Sequence, residues 1–208
     1  MLAPIIAHIL NLCTHQGYFP QELKKGCITP IFKGGNKDII NNYRPVCSLS
    51  PMSKIMEKVI YNRMIKFIDK YNILSTQQYG FRKNMGTDTA LINYTDTILK
   101  GLNDKLYTVS IFMDLSKAFD VLNLEILKLK LEHYGFRNDF LGFLMSFVEN
   151  REYFVSANGF ISYTNTVNMG VPQGSTLGQL LFLLYINDLV NCSEKLLFSL
   201  FADDYGYL

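Results

Sequence analysis

Between Met52 and Ile60 the apolar side chains Met52, Ile55, Met56, Val59 and Ile60 recur every three or four residues, and the pattern continues to about Ile68. That spacing puts them on one face of a helix. Ser50-Pro51 stands just before the run, a hydroxyl cap followed by a proline at the first turn, so the helix begins there. Residues 3–16 and the stretch from Thr87 to Leu99 predict two more helices. At Tyr107 the period falls to two. Tyr107, Val109, Ile111 and Met113 alternate with Thr108, Ser110, Phe112 and Asp114, which predicts a strand over 107–113. Helices follow at 121–133 and 138–149. Residues 152–157 and 160–168 flank Asn158-Gly159, a strong short-range hairpin signal. Val171-Pro172-Gln173-Gly174 reads as a loop into an apolar helix at 176–190. A last strand, Leu196 to Ala202, ends on a turn at Asp203-Asp204. Nearer the start, Thr29-Pro30-Ile31-Phe32 reads as a short extended piece before a turn at Gly34-Gly35-Asn36, where glycine supplies positive φ cheaply. Helices and strands interleave with hairpins, which favours an α+β fold.

Composition sharpens this. The chain has 208 residues, 49% apolar and 18% charged, enough apolar surface to offset the entropy of ordering and to exclude disorder as the main state. Net charge is only +2, but it is unevenly spread. Residues 1–105 hold 14 Lys+Arg and 7 Asp+Glu, whereas 106–208 hold 6 and 11. A basic half joined to an acidic half suits a protein that grips a polyanion with one part and holds divalent metal with the other. Cys13, Cys27, Cys47 and Cys192 form no C-x-x-C pair and, with His8, His15 and His133, show no zinc-ligand spacing. They read as small apolar residues of a reducing compartment. Met1 to Leu12 lacks the basic flank of a signal peptide, and the apolar run Leu180 to Ile186 is far short of the ~20 residues that span a bilayer, so no membrane role is expected. No G-x-x-x-x-G-K-[ST] run exists, which excludes a P-loop nucleotide hydrolase.

The chemistry concentrates at two strand ends. The strand over 107–113 delivers Asp114, and the strand ending at Ala202 delivers Asp203 and Asp204. Both are apolar enough to be central strands of one sheet, and as neighbours they would bring three carboxylates together. Clustered carboxylates repel unless a counter-ion joins them. Hard divalent metal resolves the conflict, and oxygen-only ligands favour Mg²⁺. Two such ions can activate a hydroxyl and stabilise a leaving oxygen on phosphorus.

Six segments in order then make a resemblance. Ile31-Phe32-Lys33-Gly34-Gly35, Asn42-Tyr43-Arg44-Pro45 with Ser53-Lys54-Ile55-Met56-Glu57-Lys58, and Gln78-Tyr79-Gly80-Phe81-Arg82 resemble the fingers blocks of the reverse transcriptase of non-LTR, jockey-like retrotransposons. Asp114-Leu115-Ser116-Lys117-Ala118-Phe119-Asp120 is similar to polymerase motif A. Gly170-Val171-Pro172-Gln173-Gly174-Ser175 is similar to motif B, and Phe201-Ala202-Asp203-Asp204 to motif C.

The resemblance implies the fingers and palm of a right-hand polymerase, with an antiparallel palm sheet and no thumb. A basic fingers region would span residues 1–105 and an acidic palm residues 106–208, cut just after motif C with its return strand barely begun. It implies RNA-directed DNA synthesis on an RNA template and DNA primer from deoxynucleoside triphosphates, in the cytoplasm and nucleus. Asp114, Asp203 and Asp204, with the Leu115 carbonyl, would hold two Mg²⁺, for which Mn²⁺ could substitute. Lys33 and Arg44 would clamp the triphosphate, and Gln173 and Gly174 would touch nucleotide and template. Phe119 would lie under the sugar and exclude a 2′-hydroxyl, and Arg82 with Lys83 would meet the template backbone. Lys54, Lys58, Arg63 and Lys66 could line a groove. The alternative is an inactive relic that only binds nucleic acid. No protein partner follows from the sequence.

Overall fold

The computed structural model describes residues 2–115, 117–202 and 204–207. Helix α1 is Ala3–His15 and α2 is Pro51–Lys70, the latter capped by Ser50, whose hydroxyl accepts from the Ser53 N–H. Helix α3 is Thr87–Asn103, α4 is Leu124–His133, α5 is Asn138–Val148 and α6 is Thr176–Ile186. Asn123 caps α4 and Ser175 caps α6, each through its side-chain oxygen. The apolar stretch expected to be helical to residue 190 leaves the α-helix at Ile186 and continues as a 3-10 helix, Asn187–Cys192.

Strand β1 is Lys25–Phe32 and β2 is Tyr43–Leu49, paired antiparallel. This hairpin exceeds the short extended piece expected over 29–32, although each strand contains a proline. Pro30 lies directly opposite Pro45. Lys33 N–H donates to the Asn42 carbonyl at 2.8 Å. Counting back by the alternation of antiparallel pairs makes 30/45 a non-hydrogen-bonded pair, where neither missing N–H is needed. Strand β4, Arg151–Ala157, pairs parallel with β1 and antiparallel with β5, Phe160–Ile161, and β6, Asn165–Val167. Asn158 and Gly159 turn the β4–β5 hairpin at φ 51° and 81°, as the dipeptide predicts.

The second sheet has three strands in the order β3-β8-β7, all antiparallel. Here β3 is Ile111–Asp114, β7 is Phe198–Phe201 and β8 is Asp204–Tyr207. Three expectations change. The alternating stretch from Tyr107 becomes strand only at Ile111. Strand β3 is an exposed edge, not a central strand. The return strand after the Asp pair is fully used, because its four residues bond to β3 on one side and β7 on the other.

The core lies among the helices. Met56, Ile60, Met64 and Ile68 of α2 pack with Leu127 and Leu131 of α4, Phe143 and Phe147 of α5, and Leu180 to Leu184 of α6. Helix α6 is buried nearly all round, which is why it lacks the polar face of a surface helix. Two cations are buried with it. Lys24 Nζ donates to the Glu149 carbonyl at 3.3 Å. Arg151 Nη1 donates to the Phe147 carbonyl at 2.9 Å, Nε donates to the Tyr153 hydroxyl at 3.0 Å, and Nη2 has no partner among the described residues. Among the described residues no helix is long and apolar enough to cross a membrane.

Candidate active site

The β3-β8-β7 sheet gathers the acidic end of the site. Asp114 closes β3 and lies directly opposite Asp204, the first residue of β8, which in turn pairs with Phe201. Strands β3 and β7 are thus not neighbours. Strand β8 stands between them and brings the carboxylate positions together. Asp203 lies outside the described residues, and Asp204 is placed by its backbone. Asp114 is exposed, accepts no hydrogen bond from a described residue, and borders a hollow of about 700 Å³ between α3 and the sheet, with Asp88, Tyr94, Phe112, Ser199 and Phe201. Among the described residues no three His, Cys, Asp or Glu side chains gather into a metal-binding group. Among the described residues the Leu115 carbonyl accepts one long bond, from Ala118 N–H at 3.2 Å, which leaves it a second lone pair.

Residues 77–80 brace the turn from outside. Tyr79 N–H donates to the Leu200 carbonyl at 2.8 Å, and Leu200 N–H donates to the Gln77 carbonyl at 2.9 Å, so this segment lies parallel along the free edge of β7. Gln78 is buried, and its Oε1 accepts from both Gly80 N–H, at 2.8 Å, and Ala202 N–H, at 3.2 Å. Ala202 holds a left-handed φ of 58° at the turn. A Cβ on Gly80 would stand 2.3 Å from the Ala202 nitrogen, so only glycine fits this close approach. The block around Gly80 was legible as a family pattern, but its role as a brace was not.

A second group forms where the tail of motif A meets the motif B loop. Val171 N–H donates to the Phe119 carbonyl at 2.7 Å, and Gly170 N–H donates to the Leu122 carbonyl at 2.8 Å. Gln173 Nε2 donates to Asp120 Oδ1 at 3.2 Å. A carboxylate only accepts, so this bond turns the Gln173 carbonyl oxygen away from Asp120 and toward the neighbouring space. Desolvation beside the loop pushes the Asp120 carboxyl above its ordinary value, opposed by the Gln173 bond and by Lys117. Gln173, Asp120, Tyr153, Cys47 and Pro45 line a cavity of about 350 Å³ between this loop and the first sheet. Burial pushes the Cys47 thiol up to about 11, so it is not a thiolate at neutral pH. The Phe119 ring packs 4.4 Å from Phe182 and 6.2 Å from Phe81, partly buried on the core's edge. Gly174 is exposed at the loop's tip.

Glu57 anchors that loop, and sequence reasoning did not single it out. It is buried, and its two oxygens accept from Ser53 Oγ at 3.1 Å and Ser175 Oγ at 2.5 Å. Ser175 Oγ also accepts from Gly178 N–H at 2.9 Å as the cap of α6. The available signal was the Ser53-to-Glu57 spacing of one helical turn.

The basic candidates are placed less closely. Arg44 pairs with Ile31, and Lys33 lies two residues beyond Ile31, so both fall on one face of the β1–β2 hairpin and are exposed. Ile28, Pro45 and Cys47, which line the cavity beside Gln173, belong to the opposite face. Arg82 is partly buried. Its Nη1 donates to the Ser75 and Gln78 carbonyls at 2.6 and 3.2 Å, which clamps the start of the brace, while Lys83 is exposed.

Telomerases are among the solved structures similar in fold to this chain. Telomerase from Candida tropicalis, truncated from its C-terminal domain, superposes with a TM-score of 0.63 at 14% identity, over 90% of this chain and 44% of that one. Candida albicans telomerase in complex with a TWJ fragment of telomeric RNA gives 0.60 at 14%, over 91% and 39%. At that identity the likeness speaks for the fold alone, and it is a polymerase fold. The family model described as reverse transcriptase (RNA-dependent DNA polymerase) matches residues 29–207, and the chain belongs to that family. It is 33% identical over 204 residues to a probable RNA-directed DNA polymerase from the transposon X-element of Drosophila melanogaster. It is 32% identical over 211 residues to the RNA-directed DNA polymerase from the mobile element jockey of the same fly. These alignments cover 96% and 98% of the chain but 22% and 23% of the relatives, so the chain spans less than a quarter of their length. The non-LTR, jockey-like resemblance read from the motifs is borne out.

Proposed function

We propose that this chain is the catalytic part of an RNA-directed DNA polymerase, joining deoxynucleotides to a DNA primer 3′-hydroxyl on an RNA template. The observation that carries the reading is Asp114 facing Asp204 across β3 and β8, inside a chain of this family. In this reading the β3-β8-β7 sheet is the palm and the β1–β2 hairpin belongs to the fingers. The donor set fits a hard divalent ion: Asp114 is exposed, held by no described hydrogen bond, opposite a second Asp, and next to the second carbonyl lone pair of Leu115. Asp114, Leu115, Asp203 and Asp204 would hold Mg²⁺, or Mn²⁺ in its place, as a pair of ions. Such ions, when bound, would supply charge stabilisation for in-line displacement at phosphorus.

The other residues bind and orient. Exposed Lys33 and Arg44 offer charge to the triphosphate, Lys as a point and Arg as a fork. Gln173, turned by Asp120, offers an acceptor to the nucleotide, and Gly174 lets the template approach the loop. Phe119 sits under the sugar, and Lys83 with the remaining Arg82 donors meets the template phosphates.

Primer extension on an RNA template with deoxynucleotides and Mg²⁺ tests the proposal. Extension by the wild type that is lost in Asp114→Asn supports it. Equal absence of extension in both overturns it, and salt-dependent RNA binding would then mark a chain that only binds nucleic acid.

A further inference from the structure

The far end of α2 carries cations that form no ion pair among the described residues. Arg63 and Arg137 line a cleft of about 340 Å³ between α2 and the α4–α5 turn, with Met64, Phe67, Phe136 and Phe140. Lys66 and Lys70 follow Arg63 at three and seven residues, on the same helical stripe. Asp69, three residues after Lys66, makes no ion pair among the described residues, and neither Glu132 nor Asp139 lines the cleft. Among the described residues the one ion pair in the protein is Lys130 with Asp188, so both arginines are unpaired. A run of rings follows the cations. Tyr71 lies 4.8 Å from Phe67, Phe67 lies 5.2 Å from Phe136, and Phe136 lies 6.1 Å from Phe140. The Tyr71 ring is exposed, and Lys70 Nζ sits 5.1 Å from its centroid.

This end is remote from the proposed chemistry. Glu57 marks the contact of α2 with the motif B loop, and Arg63 and Lys70 lie about 9 and 20 Å further along the helix at 1.5 Å per residue. We propose that this cleft is a second nucleic-acid site that binds a single strand. Arg63, Lys66, Lys70 and Arg137 take successive phosphates, and bases stack on Tyr71 and the exposed edges of Phe67 and Phe140. Cations interleaved with aromatic faces suit a single strand, whose bases are free to stack. An acidic peptide would use the arginines and leave the rings idle.

The test uses the whole chain and fluorescein-labelled (rU)12, without metal or nucleotide, read by anisotropy over a salt series. Each single-strand phosphate contact contributes about 0.7 to the slope of log K against log salt. Arg63→Gln with Arg137→Gln should therefore cut the slope by about 1.4. Tyr71→Ala should weaken binding about tenfold with the slope unchanged. Lys195→Gln, an exposed change elsewhere, should alter neither. All the substituted side chains are exposed, so melting temperatures should match the wild type and binding changes report the site. Unchanged slope and affinity in the double variant would overturn the proposal. So would equal competition by a duplex of the same length or by a poly-glutamate peptide. Loss or retention of primer extension does not enter this readout, so the site and the polymerase reading stand or fall separately.

Discussion

Replacing Gly80 with Ala tests whether the brace sets the turn before the candidate carboxylates. The added Cβ would lie 2.3 Å from the Ala202 nitrogen and 3.0 Å from its Cα and Cβ. Two of these atoms are backbone, so no side-chain rotation relieves the overlap. Reaching ordinary van der Waals separation requires a shift of roughly 1 Å. Overpacking of this kind costs about 1–3 kcal/mol. The shift also stretches the two bonds accepted by Gln78 Oε1, from Gly80 and Ala202, worth about 1 kcal/mol each. A loss of about 2–4 kcal/mol corresponds to a fall in Tm of about 4–16 °C at this chain length. Ala202 directly precedes the Asp203-Asp204 pair. A displacement near 1 Å there should lower extension about 100-fold in the molecules that stay folded. Differential scanning fluorimetry gives the first quantity, and single-turnover primer extension below both melting transitions gives the second. A variant within 1 °C of wild type at full extension rate would refute the brace. A lowered Tm with normal extension would leave residues 77–80 a structural role but remove their hold on the turn.

Ser175→Ala removes the α6 cap and a buried donor to Glu57, so it should cost about 2–4 kcal/mol by urea unfolding, with Ser175→Thr restoring most of it. Burial lowers the Lys24 pKa, with Arg151 adding to the effect and Glu149 opposing it. The folded state therefore releases the Lys24 proton before the unfolded state does. The burden of that charge is full below the folded value and fades as pH rises toward the unfolded value of 10.5. Lys24→Met should thus melt at or above the wild-type temperature at pH 7, with the gap closing toward pH 10. A gap that widens with pH would contradict the sign. Phe119→Val should admit ribonucleotides in extension assays, and an unchanged preference for deoxynucleotides would remove Phe119 from the sugar.

Where local chemistry decides an element, the sequence was legible. Ser50-Pro51 starts α2, Asn158-Gly159 turns β4 into β5, and the apolar spacing sets the helices, because each signal acts within a few residues. The meeting of the two Asp-bearing strand ends was also legible, as far as Asp114 and Asp204 lie opposite each other in the backbone pairing. What failed is what depends on a partner distant in sequence. The extent of the β1–β2 hairpin was hidden: each strand holds a proline, which lacks a donor, and their opposition at a non-bonded pair accommodates both. Strand β3 read as central from its apolar content, yet its side chains stay exposed at the sheet edge. Periodicity reports which residues share a face, not what covers that face.

The buried polar groups carry the same lesson into the site. Lys24, Arg151 and Glu57 carry no local signal of burial in the sequence. All three are buried, and each is held by hydroxyl or carbonyl oxygens instead of an opposite charge. An unpaired buried charge is costly unless its hydrogen bonds are made, so such groups are kept where fixed geometry outweighs stability. Glu57 meets that condition directly: it ties α2 to the cap of α6 and hence to the loop that carries Gln173 and Gly174. Gln78 is neutral and its Nε2 has no partner among the described residues, yet its Oε1 holds the turn before Asp203 from the other side. The candidate carboxylates and the candidate nucleotide loop are therefore each set by a polar side chain buried from solvent. Substitutions at Glu57 and Gln78 should disturb the two halves of the site independently.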